Sequence, residues 1–314
     1  MAEVGYRVFM ARPAPASVRA TDIISFLTAH PSRAFTISEL VRHLGMNIAS
    51  AHATLAVLCD CGFLIRDPVH RTYVLGPAFA VTGFAALEQH PAIEAAIEQA
   101  EVLAAELNAE VGVTAIAGRD VIFLARRGPD IGTAGIGYPG DRSPLLAPVG
   151  AVFMAWADED AVTAWLDRAG LHGPIADAYR GVLDEIRSRG FSVPLPAIAS
   201  PALIDAFARL RSEPTDEDAE QHLAEVFQET DEMLLSFGNL SASDGIVFKT
   251  VAAPIFDPMG RVLLSLTITG PEHPVRVDEV LDLGRRLVQS ATIATRQARG
   301  RVPGRDASAR AAAR

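Results

Sequence analysis

Two sets of residues in the sequence have types and spacings that could support metal or redox chemistry. Cys59 and Cys61 are metal-ligating residue types, but residues two apart on a helix point about 200° from each other and cannot share one ion. We interpret them as buried or half-buried structural cysteines. His222, Glu225 and Glu229 are spaced for one helical face, yet they lie in a broad acidic run, which is typical of a solvated surface. We therefore predict no metal site.

A third set, the stretch Gly135–Gly140, matches the pattern G-x-G-x-x-G. A dinucleotide site needs this motif between a buried strand and the start of a helix. Here Pro139 interrupts the motif, and the sequence that follows it, Asp141–Pro144, has no adjacent helix start. We interpret the stretch as an irregular strand and predict no cofactor. The sequence also contains no G-x-S-x-G, H-E-x-x-H, Walker loop or Cys–His pair, which argues against an enzyme.

The composition indicates a two-domain globular protein. At 314 residues the chain exceeds the length at which a single core usually stops growing, about 250 residues. No apolar run approaches the roughly 20 residues of a membrane span, and the N-terminus lacks the regions of a signal peptide. Two cysteines cannot form a disulfide framework, so we expect a cytoplasmic protein with no membrane partner.

The net charge of −10 is unevenly distributed. Residues 1–90 contain seven arginines and six acids, whereas the rest of the chain carries the whole acidic excess. Affinity for nucleic acid depends on a local basic surface and not on the total charge. The distribution therefore permits nucleic-acid binding but does not favour it.

Caps, glycines and apolar spacing predict three helices and a β-hairpin over residues 17–76. Ser17 can cap the first helix, and Thr36 with Glu39 forms a T-x-x-E capping box at the second. Asn47 can cap a third helix that runs to Cys61. Its predicted buried residues are Ile48, Ala51, Leu55 and Leu58. The predicted strands are Phe63–Arg66 and Arg71–Leu75. This order of elements is typical of a winged helix-turn-helix.

Residues 77–90 are predicted to form a linker helix, and residues 91–298 a second domain with an insertion at about 192–245. Its predicted elements are a helix from Pro91 to about Asn108, strands Val111–Ala117 and Val121–Arg127, helices over roughly 149–190, a hairpin of Val247–Phe256 and Arg261–Thr269, and a helix Asp278–Arg296. Strands joined by hairpins with helices between them indicate an α+β fold, an antiparallel sheet with flanking helices. Residues 1–16 and 299–314 are predicted to be disordered.

Several stretches of the sequence resemble the IclR family of transcription regulators. In the N-terminal part they are SVRA from Ser17, ISELVRHLGMNIASAHATLAVL from Ile37, GFLIRDP from Gly62 and RTYVLGP from Arg71. In the C-terminal part the weaker matches are DVIFLAR from Asp120, PLLAPVGAVFMA from Pro144, Gly190-Phe191 and AAPIFDPMG from Ala252. The resemblance implies a DNA-binding winged helix-turn-helix, a linker helix used in dimerisation, and a GAF-like effector-binding domain.

The sequence departs from the family pattern at several positions. The family's basic residues in the third helix look like Ile48 and Ala53 here. The Gly-Lys at the start of the family's sensor helix reads Gly150-Ala151. The family's acidic residue and cysteine in the effector domain look like Ser192 or Val193, and Thr250. These changes remove charge from the expected ligand site.

The N-terminal end of the third helix is expected to enter the major groove. The predicted base-facing residues are Asn47, Ala49, Ser50 and His52, with Asn47 mainly a helix cap and His52 equally compatible with packing against the wing. The predicted phosphate-contacting arginines are Arg19, Arg42, Arg66 and Arg71, although most surface arginines are only solvated. The third helix contains no Lys or Arg, so the alternative that the winged helix binds a protein instead of DNA stays open.

For the effector site, Arg142 and Ser143 are expected to precede a helix and to hold an anionic group. The predicted wall residues are Leu145, Ala147, Ala252 and Ser265, which could equally be plain core. We therefore predict a homodimeric or homotetrameric regulator that binds double-stranded DNA and senses an organic, partly apolar effector. The alternatives are a C-terminal domain kept for oligomerisation or protein interaction without a ligand and, less favoured, an enzyme.

Overall fold

A computed structural model describes residues 14–129, 137–193, 221–222, 225–226, 241–271 and 273–303. The chain divides into two compact units between Gly83 and Phe84. Residues 1–13 and 304–314, which belong to the segments predicted to be disordered, lie outside the described residues. Most of the predicted insertion lies outside them as well. No helix of the described ranges is long and apolar enough to cross a membrane.

The N-terminal unit combines three helices with a small antiparallel sheet. Its elements are α1 (Pro15–Ala29), β1 (Phe35–Thr36), α2 (Ile37–His43), α3 (Ile48–Asp60), β2 (Leu64–Arg66) and β3 (Thr72–Leu75). The strand order is β1-β3-β2. The predicted helices and hairpin are present, with two corrections. α1 begins at Pro15, before Ser17, because proline is well suited to the first turn of a helix. Strand β1 was missed because two residues give no alternating pattern.

Local hydrogen bonds and one glycine define the start of α2 and the turn between α2 and α3. The backbone N–H of Thr36 donates to Glu39 Oε2 at 2.8 Å, and the N–H of Glu39 donates to Thr36 Oγ1 at 3.3 Å. This reciprocal pair is the predicted capping box. Gly45, with φ +60°, takes the left-handed conformation that ends α2. Asn47 Oδ1 then accepts from the N–H groups of Ala49 and Ser50 at 2.9 and 3.4 Å, which starts α3.

The buried side chains of the N-terminal unit come from all three helices and the sheet. The core residues are Ile23, Phe26, Leu27, Phe35, Leu40, Leu55, Leu58, Leu64 and Tyr73. Ala51 is also fully buried on α3, but Ile48 is 52% exposed. The prediction that Ile48 packs inward was wrong, because the first turn of α3 extends past the core that its later turns contact.

A helix and a larger α+β unit follow. The elements are α4 (Ala78–Gln89), α5 (Pro91–Leu107), β4 (Val111–Ala117), β5 (Asp120–Arg127), β6 (Arg142–Pro144), α6 (Ala151–Met154), α7 (Glu159–Arg168), α8 (Pro174–Arg189), β7 (Gly245–Ile246), β8 (Thr250–Phe256), β9 (Val262–Thr269), β10 (Val275–Arg276) and α9 (Val277–Gln297). α4 occupies the predicted linker position, contains the division between the units and has no buried residue.

The centre of the C-terminal unit is a five-stranded antiparallel sheet in the order β6-β5-β4-β9-β8. On its first face, Val113, Val251 and Leu266 pack in one core cluster with residues of α5 and α9. On its second face, Val121 and Ala252 pack in another cluster with residues of α6, α7 and α8. Successive residues of a strand point to opposite faces, so each strand contributes to both clusters. The predicted antiparallel sheet with flanking helices is confirmed.

The end of the C-terminal unit differs from the prediction of a disordered tail from residue 299. The N–H of Arg301 donates to the carbonyl oxygen of Asp257 at 3.0 Å, and the N–H of Gly300 donates to that of Thr295 at 2.7 Å. Residues 299–303 therefore continue the folded unit beyond α9. Sequence reasoning missed this because a segment held by backbone hydrogen bonds needs no apolar periodicity.

Candidate functional site

The outward face of α3 is apolar and carries no charged side chain between Ile48 and Val57. Ala49, Ala53 and Ala56 are exposed on the side opposite the buried Leu55. At the two ends of this stretch, Ile48 and Val57 are 52% and 61% exposed. A winged helix-turn-helix presents this helix to the major groove. The surface that α3 offers to a partner therefore consists mostly of methyl groups.

The polar residues predicted to face DNA from α3 differ in their exposure and in the hydrogen bonds that they already make. His52 is exposed, whereas Ser50 is half-buried. The side-chain oxygen of Asn47 is engaged as the helix cap, which agrees with its interpretation as mainly a cap. Thr54 donates its hydroxyl to the carbonyl oxygen of Ser50 at 3.0 Å. His52 is thus the side chain of the first turns of α3 that is both exposed and able to hydrogen-bond a base edge.

The wing is a turn between β2 and β3 organised by Asp67. Its Oδ1 accepts from the N–H groups of Val69 and His70 at 2.7 and 2.9 Å, and its Oδ2 lies 3.2 Å from Nδ1 of His70. The backbone N–H and the ring of His70 hold the pKa of Asp67 below its ordinary value. Arg71 follows in the left-handed conformation, with φ +55°, and is exposed. The turn therefore displays an arginine at the wing.

The other predicted arginines differ in exposure. Arg66 is exposed, and its guanidinium lies 5.9 Å from the ring centroid of Tyr73. Arg42 is exposed in the last turn of α2. Arg19 is half-buried on α1, and its Nε has no hydrogen-bond partner among the described residues. Three of the four arginines are thus open to solvent, and Arg19 is the least accessible.

The second face of the sheet carries buried hydroxyl groups. On β9 the residues alternate strictly, with Leu264, Leu266 and Ile268 in the first-face core and Ser265, Thr267 and Thr269 on the second face. Thr114 of β4 is the register partner of Ser265, so the two side chains share that face. All four hydroxyl residues are buried. Sequence reasoning identified only Ser265, although the alternation L-S-L-T-I-T is visible in the sequence.

Two further buried hydroxyls lie at the edges of this face. Ser143 of β6 pairs in register with Val121 of the second-face core, and its Oγ has no hydrogen-bond partner among the described residues. Ser192 forms an isolated bridge with Ala252, which lies on the second face. Of the predicted wall residues, Ala147 is fully buried in the second-face core, and Leu145 packs partly buried against it. The structure thus brings Ser143, Ala147, Ala252 and Ser265 to one side of the sheet.

Arg142 is separated from Ser143. These two residues lie on strand β6, and the next helix, α6, begins only at Ala151. The expectation that they precede a helix was therefore wrong. Because neighbouring residues of a strand point to opposite faces, Arg142 turns away from the second face, and its Nε donates to Asp120 Oδ2 at 2.9 Å. It lies outside the group of hydroxyls that includes Ser143.

A buried ion pair lies at one end of the second face. Glu110 is fully buried, pairs with Arg126 of β5, and accepts at Oε1 from the Thr269 hydroxyl at 2.9 Å. The Arg126 guanidinium lies 4.6 Å from the ring centroid of Tyr138. The two charges are opposite and pair with each other. The other buried polar side chains identified on this face are neutral hydroxyls.

Comparison with known families identifies the N-terminal unit. The sequence model of the IclR helix-turn-helix domain matches residues 16–68, which span α1 from its second residue, β1, α2, α3 and β2. Residues 16–68 form an IclR helix-turn-helix domain. The predicted resemblance is thereby confirmed for the N-terminal unit, which carries the DNA-binding domain of a transcription regulator. Among curated protein sequences, none matches the chain.

Solved structures share the fold over most of the chain. The IclR transcriptional regulator from Alicyclobacillus acidocaldarius has a TM-score of 0.62 at 20% identity, covering 91% of this chain and 99% of that one. HmgR from Pseudomonas aeruginosa has a TM-score of 0.58 at 22% identity, covering 90% and 98%. The IclR from Thermotoga maritima has a TM-score of 0.53 at 16% identity, covering 90% and 98%. This likeness establishes an IclR-type fold for both units.

The cysteines and the described part of the other two residue sets can now be placed in the structure. Cys59 is half-buried, and burial raises the pKa of its thiol. Cys61 is exposed at the end of α3, so its predicted burial was wrong. His222 Nδ1 lies 4.0 Å from Glu225 Oε2, and Glu229 lies outside the described residues. Gly135 and Ile136 also lie outside them, and the motif's described end runs into strand β6.

Proposed function

We propose that this protein is a dimeric transcription regulator whose N-terminal unit binds double-stranded DNA and whose C-terminal unit binds a small organic effector. The observation that carries the proposal is the IclR helix-turn-helix domain, in which Asn47 caps α3 and the outer face of α3 is open to solvent. The DNA is approached by the first turns of α3 at the base edges and by Arg42, Arg66 and Arg71 at phosphates. A regulator of this kind acts in the cytoplasm.

The partner that we propose for α4 is the α4 of a second copy of the chain. No residue of α4 is buried, although its side chains include Val81, Phe84 and Leu87, of which the first two are 70% and 69% exposed. An exposed apolar side of a helix is stabilised when another apolar surface covers it. Two copies joined through α4 present two helix-turn-helix domains, and such a pair reads a two-fold symmetric DNA site.

The effector site that we propose is the second face of the sheet around Ser143, Ala147, Ala252 and Ser265. Its hydroxyls are neutral, its apolar neighbours belong to the α6–α8 core, and Arg142 is engaged with Asp120. This chemistry suits an organic ligand with an apolar body and a few hydrogen-bonding groups. An effector that binds one state of the dimer better than another shifts the population of states and so changes the affinity for DNA.

The DNA-binding part is tested by selection of sites from random double-stranded DNA with the full-length protein. We expect enrichment of a two-fold symmetric sequence, and tighter retardation of that duplex than of a scrambled one at two salt concentrations. Enrichment without symmetry would contradict the dimeric arrangement. No enrichment at all would contradict DNA recognition and would favour the protein-binding role that the uncharged surface of α3 leaves open.

A further inference from the structure

The outer surface of α3 differs in chemistry from the side chains that usually read DNA bases. The most frequent specific contacts in the major groove are made by Arg or Lys to guanine and by Asn or Gln to adenine. Between Ile48 and Val57 none of these residue types occurs. Asn47, just before them, uses its side-chain oxygen for the helix cap. Base recognition through a bidentate hydrogen bond from this stretch is therefore excluded.

The groups that this surface does offer are methyl groups and one imidazole. Ile48, Ala49 and Ala53 are exposed in the first two turns of α3, and His52 is exposed between them. The major-groove edge of thymine carries a C5-methyl group, which is the apolar feature that distinguishes it from cytosine. An apolar side chain that covers such a methyl group removes it from water, and this burial favours binding.

We infer that α3 recognises its DNA site through thymine C5-methyl groups, with Ile48, Ala49 and Ala53 as the contacting residues and His52 as the hydrogen-bonding side chain beside them. This inference rests on the proposed DNA-binding function and specifies its chemistry. The wing arginines position the protein on the phosphates, while discrimination between bases depends on the methyl contacts. The recognised half-sites should accordingly contain thymines at the positions closest to α3.

The test replaces thymine by deoxyuridine, which lacks only the methyl group. Using the selected duplex and the wild-type protein, each thymine of the half-site is replaced singly, and the dissociation constant is measured. We expect a loss of roughly fourfold at each contacted thymine, the effect of burying one methyl-sized group. Deoxyuridine placed in the flanking sequence is the control and should change nothing. Because the protein is not altered, this measurement does not depend on the folding of a variant.

Protein variants connect the methyl contacts to α3. Ala53→Ser places a hydroxyl on the contact surface, and Ala105→Ser, on an exposed position of α5, is the matched control. The deoxyuridine penalty should shrink in Ala53→Ser and persist in Ala105→Ser, with circular dichroism showing that both fold. A selected site bound equally well with deoxyuridine at every position would overturn this inference and leave the proposed function intact. Failure to select any DNA would instead overturn the proposed function, and this inference with it.

Discussion

At the scale of single residues, the wing shows how backbone geometry and charge act together. Arg71 is one of three non-glycine residues with positive φ in the described chain, and a left-handed conformation is unfavourable for a residue with a Cβ. The hydrogen bonds from Val69 and His70 to Asp67 hold the turn that demands this conformation. Unfavourable backbone conformations of this kind are found most often at functional sites. At this position the functional group is the exposed guanidinium of Arg71.

We predict that Arg71→Ala weakens binding to specific and random DNA alike. The loss of one phosphate contact should reduce the slope of log affinity against log salt concentration by about 0.9. Arg71→Lys keeps the charge and the backbone conformation and is the matched control, so its slope should stay close to that of the wild type. Fluorescence anisotropy over a range of salt concentrations measures both. An unchanged slope in Arg71→Ala would show that this arginine does not contact phosphate.

At the scale of elements, the sequence predicted best where local hydrogen bonds decide the structure. The capping box at Thr36 and the cap at Asn47 appear as expected, because these side chains bond to backbone groups of their own helix. The sequence was a poor guide where the structure of a residue depends on parts of the fold that are distant in sequence. The strand at Arg142 and Ser143 exists only through its pairing with β5, which is distant in sequence. The exposure of Ile48 likewise depends on where the core ends.

The capping box gives a prediction for stability. Thr36→Ala removes the hydroxyl that accepts from the N–H of Glu39 and should lower the free energy of unfolding by about 1 kcal/mol. Thr21→Ala is the control, because Thr21 is an exposed helical threonine whose hydroxyl donates to carbonyl oxygens of its own helix, a bond of little net benefit. Urea denaturation followed by circular dichroism compares the two. Equal changes in the free energy of unfolding would mean that the capping box adds no more stability than an ordinary helical threonine does.

The same motif gives a prediction for pH dependence. The backbone N–H and the hydroxyl of Thr36, with Arg33, hold the pKa of Glu39 below its ordinary value of 4.5. Because the pKa is lower in the folded state, the ionised carboxylate stabilises the fold fully at pH values above its ordinary pKa. That stabilisation is lost as the pH falls through the lower folded-state pKa. We expect Glu39→Gln to unfold with a shallower dependence on pH below about 4.5. A wild-type-like dependence in the variant would contradict this role of Glu39.

At the scale of the whole molecule, the sequence predicted two units joined by a helix, and the structure divides within that helix. The fold class followed from the order of elements and from the family resemblance. The buried hydroxyls of the second face were largely missed, because serine and threonine in a strand look the same whether a helix or water covers them. Only the packing of α6–α8 against that face shows that the hydroxyls are buried.

We predict that the dimer depends on α4. Phe84→Glu places a charge on its exposed apolar side and should shift the protein toward monomer at micromolar concentration. Ala86→Glu is the matched control: it adds the same charge two residues along the helix, about 200° away around its axis, and should leave the dimer intact. Sedimentation velocity measures the mass of each form. A wild-type monomer that still bound its selected DNA site tightly would contradict the two-fold arrangement.

The last prediction concerns the effector. Aromatic and fatty ligands, as amides or with one acidic end that reaches solvent, should stabilise the protein in thermal-shift measurements more than short keto-acids do, since the second face offers hydroxyls and apolar walls and Arg142 is turned away. A ligand at 100 times its dissociation constant adds about 2.7 kcal/mol to the stability of the form that binds it. Stabilisation by pyruvate-sized acids, without a response to larger apolar ligands, would contradict this description of the site.

Ser143→Ala separates binding from folding in this experiment. The Ser143 hydroxyl is buried without a hydrogen-bond partner among the described residues, and such a group costs stability. Its removal should therefore leave the free protein as stable as the wild type or slightly more so, while reducing the stabilisation by ligand. Ser290→Ala, at a buried serine of α9, is the control and should leave the ligand response unchanged. A ligand response retained in full by Ser143→Ala would place the effector away from this hydroxyl.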